Sequence, residues 1–412
     1  MTHLQRKINI KNFTIFFISF LFIILICSFF FTRIAYSLVE LFIENRKTLV
    51  LKDEFIFVVL LVILNIILVM EKKKPFQLQK KLIFYSLVGV CCIFFFIGPY
   101  IFKFIPLYNM DTIINVLLLL QIILMVLAIK KLPISKPSET SSFIGLLVIA
   151  IVEFFITITI VICRKEIFYI TQYLKNKTFH FIQPVLVIGA VSFILLLISI
   201  KLFGKLNIRR LELFHALSLI NGIAIFFFIW ILVQLTQFVV VYFLANKVVW
   251  VFSYDHIMPA EWLGNYFAYI FGVGLPEEFF MRGFMFIQLY SLFLSKFSLN
   301  KEWSIFISLM ISQAYFSMSH LPKLLELGMA WDYLIQTFVL GIFFVLAYLR
   351  TSNLYVSIFI HGLIDYNDPL FYPKEIIPYT EDISYLVQFY ALIALIFWPW
   401  ITKNDSQNNK EL

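Results

Sequence analysis

The chain has 412 residues, of which 62% are hydrophobic and only 14% are charged, and phenylalanine alone occupies 50 positions. A soluble globular domain is about half apolar and about one quarter charged, because a surface in water needs polar cover. The composition therefore excludes an ordinary soluble protein and predicts that the solvent is lipid. The net charge of +9 comes largely from short loops between apolar runs, which is typical of cytoplasmic loops and does not indicate a nucleic-acid partner.

Seven long apolar runs occupy the first 250 residues. A membrane-crossing helix needs about 20 apolar residues, and a backbone in lipid must pair its polar groups within its own segment. We therefore predict an all-α polytopic membrane protein, in which residues 1–250 form a seven-helix membrane region of unknown role. The runs cover residues 13–31, 55–70, 82–102, 113–129, 143–163, 181–200 and 223–244.

The rest of the chain has shorter apolar runs that are interrupted by glycine, proline and charged residues. With the first seven they predict about twelve transmembrane helices, a second membrane region over residues 255–402 and a polar tail over residues 403–412. Ionisable side chains inside a membrane span are costly, so their concentration here indicates a functional site. The later runs cover residues 262–297, 303–319, 331–349, 354–365 and 385–400.

The first cluster of charged residues contains Glu277, Glu278 and Arg282. Pro276 follows two glycines, a pattern that predicts a break in the helix and a new helix beginning at the carboxylates. Residues four apart share a helical face, so Glu278 is expected to pair with Arg282 while Glu277 faces elsewhere. A charge cluster that only locks helices together is the alternative.

Two further clusters follow on successive predicted helices. Phe316 lies four residues before His320, which stacks a ring over an imidazole on one helical face. His361 lies four residues before Asp365, and this carboxylate can fix the tautomer of that histidine. Either cluster alone is typical of helix packing, whereas three in succession favour a catalytic site.

Several intramembrane chemistries lack their motifs in this sequence. There is no Gly-x-Ser-x-Gly, no His-Glu-x-x-His and no Gly-x-Gly-Asp. What remains is a carboxylate with two histidines. A buried carboxylate can act as general base towards water, and a histidine can stabilise the oxyanion of a tetrahedral intermediate.

The three motifs together resemble the CPBP family, which comprises CAAX proteases and bacteriocin-processing or immunity proteins and is also called the Abi family. The resemblance rests on Glu-Glu-x-x-x-Arg-Gly from Glu277, Phe-x-x-x-His from Phe316 and His-x-x-x-Asp from His361. It implies an intramembrane endopeptidase of mostly helical fold, and it covers about the last third of the chain. The seven preceding runs resemble nothing comparable.

Carried over by position, Glu277 matches the family's water-activating glutamate, which His320 helps, while His361 and Asp365 match the pair that forms the oxyanion site. Many relatives have Asn at the position of Asp365, and a carboxylate donates to an oxyanion only when it is protonated, so Asp365 is also a candidate for orienting His361. The resemblance implies as catalytic residues Glu277, His320, His361 and Asp365, and as supporting residues Glu278, Arg282 and Phe316.

Two versions of the chemistry stay open at this stage. Glu277, His320 and His361 form a plausible ligand set for a divalent metal such as zinc, with an open position for water. Without a metal, Glu277 itself must take the proton from water. The metal-free version is slightly favoured.

Frequent Lys, Ile, Phe and Asn indicate an AT-rich bacterial genome, so we expect a multi-pass protein of a bacterial cell membrane. The expected partners are the lipid bilayer and a membrane-embedded or membrane-associated peptide substrate, with no nucleic acid. The alternatives are a non-catalytic scaffold or bacteriocin immunity protein that keeps the motif, and a transporter, which the absence of inverted repeats disfavours. Glu153, alone in the fifth run, is expected to pack helices or to gate.

Overall fold

The structure is a computed structural model, which divides the chain into two compact units. The predicted runs at 13–31, 55–70, 82–102 and 113–129 and the polar tail at 403–412 lie outside the described residues. We name the two units by their contents, the motif unit and the strand unit. The motif unit holds described residues 143–162, 164–204, 216–227, 252–253, 258–320 and 332–368, and the strand unit holds 228–244, 248–251, 369–373 and 384–401.

Helices account for nearly all described residues, so the predicted helical architecture is confirmed in this part of the chain. Each apolar run that falls here corresponds to a helix. A short helix that begins at Arg164 was not predicted, because it is polar and forms no apolar run. The first helices are α1 (Phe143–Ile162), α2 (Arg164–Lys177), α3 (Pro184–Ser199), which continues as a π-helical turn over Ile200–Gly204, and α4 (Ala216–Leu244).

The segment that holds the first motif is helical without interruption from residue 259 to 295. The predicted break at Pro276 is wrong, since Gly274 and Leu275 both keep helical backbone angles. A proline lacks an N–H and its ring presses on the carbonyl four residues earlier, here that of Gly272. The helix widens to π geometry over Ala268–Gly274, where the Leu275 N–H donates to the Ile270 carbonyl. Widening thus accommodates the proline without a break.

We name residues 259–295 the motif helix. Its geometry continues to alternate between α and π after Pro276. After it come two longer helices and the helix that holds the third motif. The bounds are α5 (Pro259–Phe267), a π-helical segment (Ala268–Gly274), α6 (Leu275–Glu278), a second π-helical segment (Phe279–Phe286), α7 (Ile287–Ser295), α8 (Lys301–Ser319), α9 (Asp332–Thr351) and α10 (Leu354–Asp365).

Asparagine side chains cap the two helices that hold the histidines. The Asn300 side chain accepts from the Trp303 N–H at 2.9 Å, and the Asn353 side chain accepts from the Tyr355 N–H at 3.0 Å. Such caps satisfy amide groups that a helix leaves unpaired at its start. Asn353 also donates to the Ser218 carbonyl at 2.9 Å, which fixes the start of α10 against α4 within the motif unit.

The strand unit adds a short two-stranded antiparallel sheet to the predicted all-helical architecture. Strand β1 (Val248–Trp250) pairs with β2 (Phe371–Pro373), and the register places Trp250 opposite Phe371. The Gln234 side chain accepts from the Leu370 N–H at 2.8 Å, and Thr236 and Tyr390 hydroxyls form a hydrogen bond. The remaining helix, α11 (Ser384–Ile401), is buried over most of its length.

Two helical segments in the described part of the chain are long and apolar enough to cross a membrane. They are Pro184–Gly204 and Ser218–Val239. Four shorter apolar segments accompany them, at Ile144–Glu153, Gln336–Thr351, Leu354–Asp365 and Leu386–Trp398. Apolar helices of this kind are what a lipid solvent requires.

Candidate active site

The three motifs occupy neighbouring helices of the motif unit. The first lies on α6 and the π-helical segment after it, the second at the C-terminal end of α8, and the third on the last two turns of α10. The structure brings Glu277, Glu278 and Asp365 directly to His361. His320 forms no hydrogen bond or ion pair with these three described carboxylates and adjoins the group through Phe316, with ring centroids 4.8 Å apart.

Glycines allow the motif helix and α10 to approach closely enough for this convergence. A Cβ at Gly274 would lie 2.7 Å from the Ile358 carbonyl oxygen, and a Cβ at Gly362 would lie 2.6 Å from the Ile270 Cα. Helices in membranes use small residues at such crossings, because two backbones can then pack directly against each other. The crossing is one turn from the glutamates and next to His361.

A fully buried ion pair lies at the centre of the site. Glu278 and Arg282 are both 0% exposed, and Arg282 Nη1 donates to Glu278 Oε1 at 2.9 Å. Arg282 Nη2 donates to Gln313 Oε1 at 2.9 Å and to the Gly341 carbonyl at 3.1 Å. Removing one partner of such a buried pair is strongly destabilising, whereas the intact pair ties three helices together.

His361 is fixed by the same glutamate. Its Nδ1 lies 2.7 Å from Glu278 Oε1, and since a carboxylate only accepts, Nδ1 must hold the proton. The Phe344 ring stacks on the imidazole at 4.6 Å and 18°, and the Phe316 ring meets it edge-on at 6.2 Å. Ring orientation and tautomer are therefore both set by buried neighbours.

The other nitrogen of His361 faces two carboxylates. His361 Nε2 lies 3.4 Å from Asp365 Oδ2 and 3.8 Å from Glu277 Oε2. The side chains of Asp365 and Glu277 are 29% and 34% exposed, in contrast to Glu278. Glu277 Oε2 itself is buried and accepts no hydrogen bond among the described residues. This side of the imidazole therefore has an acceptor available for a water molecule.

His320 ends α8 with its ring held by that helix. Its Nδ1 lies 2.8 Å from the Phe316 carbonyl oxygen, so Nδ1 is the donor and Nε2 is the unprotonated nitrogen of the neutral ring. The Phe316 ring also covers the Arg282 guanidinium, 4.5 Å from its centroid. Phe316 is thus the contact through which the second motif joins the buried ion pair.

The side chains predicted as possible metal ligands, Glu277, His320 and His361, do not form a three-ligand metal site in this structure. Among the described residues, no three His, Cys, Asp or Glu side chains converge with the geometry of a metal site. His361 Nδ1 is engaged by Glu278 and His320 Nδ1 by the Phe316 carbonyl, so only the Nε2 atoms of the two rings could bind a metal. The arrangement of Glu277, His320 and His361 does not fit the predicted three-ligand zinc site.

The loop after α10 is tied to the motif helix. The Tyr366 hydroxyl donates to Asp368 Oδ2 at 2.7 Å, and Asn265 Nδ2 donates to the Tyr366 hydroxyl at 3.2 Å. The Tyr266 hydroxyl donates to the Asp368 carbonyl at 3.1 Å. Burial raises the pKa of the Asp368 carboxyl, and the Tyr366 hydrogen bond opposes that rise. These contacts hold the end of α10, where Asp365 lies.

Sequence reasoning did not find three members of the site. Gln313 lies three residues before Phe316, a spacing that puts both on one helical face, so its position was accessible in principle. Phe344 and Gly341 lie within an apolar run, and nothing in the sequence distinguishes them from the other apolar residues of that run. The hydrogen bond from His361 to Glu278 was also missed, because Glu278 was assigned only to Arg282.

Comparison with known proteins is informative for one segment. Residues 259–367 match the model of a family described as Type II CAAX prenyl endopeptidase Rce1-like. No curated protein and no solved structure matches the chain. The match begins with the motif helix and ends two residues after Asp365, so it encloses all three motifs. Residues 259–367 are therefore an Rce1-like segment, and the resemblance of the motifs to the CAAX protease family is confirmed.

Proposed function

We propose that this protein is an intramembrane endopeptidase that hydrolyses peptide bonds in membrane-associated peptides with a water activated by Glu277. The observation that carries the proposal is the position of Glu277, which is 34% exposed and places an Oε2 without a hydrogen bond among the described residues 3.8 Å from His361 Nε2, whereas Glu278 is fully buried and ion-paired with Arg282. An unpaired carboxylate oxygen within a polar cluster is suited to accept a proton from water. The family match supports a peptidase, and the motif geometry supports the assignment of roles.

The proposed reaction begins when water binds between Glu277 and the carbonyl carbon of the peptide bond. Glu277 Oε2 takes one proton, the water oxygen bonds to the carbon, and the carbonyl electron pair moves onto the oxygen. His361 then donates from Nε2 to this oxyanion. The C–N bond breaks as the oxyanion collapses, and the nitrogen takes the proton from Glu277, which yields a carboxylic acid and an amine.

His361 is suited to the donor role because its two nitrogens have different partners. Glu278 holds the proton on Nδ1 at 2.7 Å, so the imidazole cannot rotate or exchange tautomers freely. Asp365 lies 3.4 Å from Nε2, where its carboxylate can accept a hydrogen bond from a proton on that nitrogen. Asp365 therefore acts by orienting His361.

His320 is proposed to assist the water from the end of α8. With its proton on Nδ1, its Nε2 is free to accept a hydrogen bond from water that Glu277 activates. Phe316 contacts both imidazoles, with ring centroids 4.8 Å from His320 and 6.2 Å from His361, and its ring also covers Arg282. His320 then contacts the attacking water, and His361 contacts the oxyanion of the peptide carbonyl.

The membrane setting is part of the proposal. We propose about twelve transmembrane helices in a multi-pass protein of a bacterial cell membrane. Residues 255–402 would form the peptidase region, residues 1–250 would form a membrane region of other role, and residues 403–412 would be a polar tail. The apolar composition and the spans Pro184–Gly204 and Ser218–Val239 support this arrangement.

The substrate class follows from the setting of the site. A site between apolar helices reaches peptides that are anchored in lipid or lie against it, and residue usage typical of an AT-rich bacterium favours peptides other than prenylated CAAX proteins. The alternative function is a non-catalytic scaffold or bacteriocin immunity protein that keeps the motif for stability. The buried Glu278–Arg282 pair would serve that alternative equally well, whereas the partly exposed Glu277 forms no contact among the described residues that would stabilise a scaffold as that pair does.

The test is cleavage of a membrane-anchored reporter peptide library by the purified full chain in lipid vesicles. The product ends are mapped by mass spectrometry, and Glu277→Ala protein of equal folded amount is the matched control. We expect cleavage by the wild type and none by the variant. If the wild type leaves every library member intact, the scaffold or immunity function is favoured instead.

A further inference from the structure

A polar contact outside the Rce1-like segment joins α1 to the helix of the second motif. Glu153 Oε2 lies 2.5 Å from the Tyr315 hydroxyl oxygen, and the same hydroxyl lies 2.8 Å from the Ala150 carbonyl oxygen. Glu153 belongs to α1, about one hundred residues before the matched segment begins, and the proposed reaction does not use it. Tyr315 immediately precedes Phe316 on α8.

The protons available at this contact indicate whether the Glu153 carboxyl group is ionised. A tyrosine hydroxyl has one proton, and a carbonyl oxygen and an ionised carboxylate can both only accept. Tyr315 can therefore donate to Ala150 or to an ionised Glu153, but not to both. Both short contacts are hydrogen bonds if Glu153 is a neutral carboxylic acid that donates to the Tyr315 oxygen while Tyr315 donates to Ala150.

Tyr315 connects this hydrogen bond to the candidate active site. Its ring meets Phe280 of the motif helix edge-on, with centroids 5.9 Å apart. Its neighbour Phe316 covers Arg282 and contacts both His320 and His361. A shift or rotation of α8 at Tyr315 therefore moves the phenylalanine that lies between the two histidines.

We propose that Glu153, as a neutral carboxylic acid, is a positioning residue that acts through Tyr315 to hold α8 and its Phe316 and His320 in register with the motif helix. The proposal rests on the proposed peptidase function for its kinetic consequence. It gives one helix outside the Rce1-like segment a defined task, since α1 supplies a hydrogen-bond donor to Tyr315 of that segment.

The kinetic test compares variants of both partners in the purified full chain. We expect Glu153→Ala and Tyr315→Phe each to lower kcat about three- to tenfold, the range that one interhelical hydrogen bond in a membrane supports, with KM changed less than about twofold. The double variant should lose no more than the worse single variant, because both remove one contact. Glu153→Gln should restore most of kcat, since its carboxamide N–H can donate as the neutral acid does. Tyr173→Phe, which removes an exposed hydroxyl on α2, is the control.

Two kinetic results and one spectroscopic result would overturn the proposal. Wild-type kcat in Glu153→Ala would show that Glu153 positions nothing, and equal losses in Glu153→Ala and Glu153→Gln would show that a neutral donor is not what matters. An infrared difference spectrum of wild type against Glu153→Gln needs no substrate and should show the carbonyl band of a protonated carboxyl, shifted in Tyr315→Phe. Carboxylate bands alone would contradict the neutral acid even if no peptide is cleaved and the proposed function fails.

Discussion

The two sides of the His361 imidazole differ in burial and in whether their carboxylates form an ion pair with Arg282. On the Nδ1 side, Glu278 and Arg282 are 0% exposed, and Gln313 and the Gly341 carbonyl take further hydrogen bonds. On the Nε2 side, Glu277 and Asp365 are about one third exposed and lie 3.8 and 3.4 Å away without forming short hydrogen bonds. We name these the paired side and the open side.

This difference teaches how two adjacent glutamates take separate tasks. Neighbouring residues on a helix point about 100° apart, so Glu278 enters the paired side while Glu277 reaches the open side. The paired side resists change because each group there depends on another buried group. The carboxylates of the open side are partly exposed and form no ion pair with Arg282, so this side is where we place the chemistry.

The largest expected effect is a loss of turnover when a residue that contacts the reacting water is removed. His320→Ala should lower the cleavage rate about 10²- to 10⁴-fold, the usual contribution of a general acid or base, and should leave the melting temperature unchanged. Rate and thermal unfolding are measured on the same preparation. His180→Ala, which changes a histidine at the turn between α2 and α3, is the control and should keep wild-type turnover. Turnover within about threefold of wild type in His320→Ala would remove His320 from the mechanism.

The paired side should respond with stability. Glu278→Ala leaves Arg282 as a buried charge without its carboxylate, a loss of about 3 to 5 kcal/mol in comparable pairs. We expect much lower membrane abundance and a lower melting temperature, measured by quantitative blotting and thermal unfolding in detergent. Glu302→Ala, which removes a half-exposed glutamate from the first turn of α8, should have little effect. Normal abundance of Glu278→Ala would contradict the structural assignment of the pair.

Asp365 offers a smaller test of the open side. A partly exposed ion pair contributes at most about 1 kcal/mol, so Asp365→Asn should retain the cleavage rate within about fivefold. Asparagine can still donate to or accept from its surroundings. The measurement is kcat for the best library peptide. A rate loss above about 100-fold would make the charge of Asp365 essential and would require a different role for it.

The smallest effect is expected from removal of metal. Because Glu277, His320 and His361 do not converge as a three-ligand set among the described residues, a strong chelator should leave the cleavage rate unchanged. The rate is compared before and after dialysis against chelator, with a zinc metallopeptidase as the positive control. Loss of cleavage that added zinc restores would overturn the metal-free assignment of Glu277.

Much of the fold in the described region could be predicted from the apolar runs, because long uniform apolar segments in lipid have helices as their natural structure. The run at 354–365 has the same bounds as α10. The helix α2 could not be predicted this way because it is polar. The strands β1 and β2 could not be predicted because each has only three residues and forms no long apolar run. The break predicted at Pro276 is wrong because the π-helical geometry just before the proline accommodates its ring, and residue preferences do not describe this geometry.

The site was predictable where partners lie four residues apart on one helix. Glu278 with Arg282 and His361 with Asp365 are pairs of this kind, and both lie within 3.4 Å in the structure. Contacts between helices were not predictable, because a single sequence does not specify which faces meet. The hydrogen bond from His361 to Glu278 spans 83 residues, and the contact of Glu153 with Tyr315 spans 162.

The most direct test of the division between the two sides measures turnover per folded molecule for Glu277→Gln beside Glu278→Gln. Glutamine keeps the shape of either side chain and removes its charge. We predict that Glu277→Gln loses about 10²- to 10⁴-fold in turnover at an unchanged melting temperature, whereas Glu278→Gln lowers the melting temperature. Wild-type turnover in Glu277→Gln, or equal destabilisation of both variants, would contradict the assignment of Glu277 as the base that activates water.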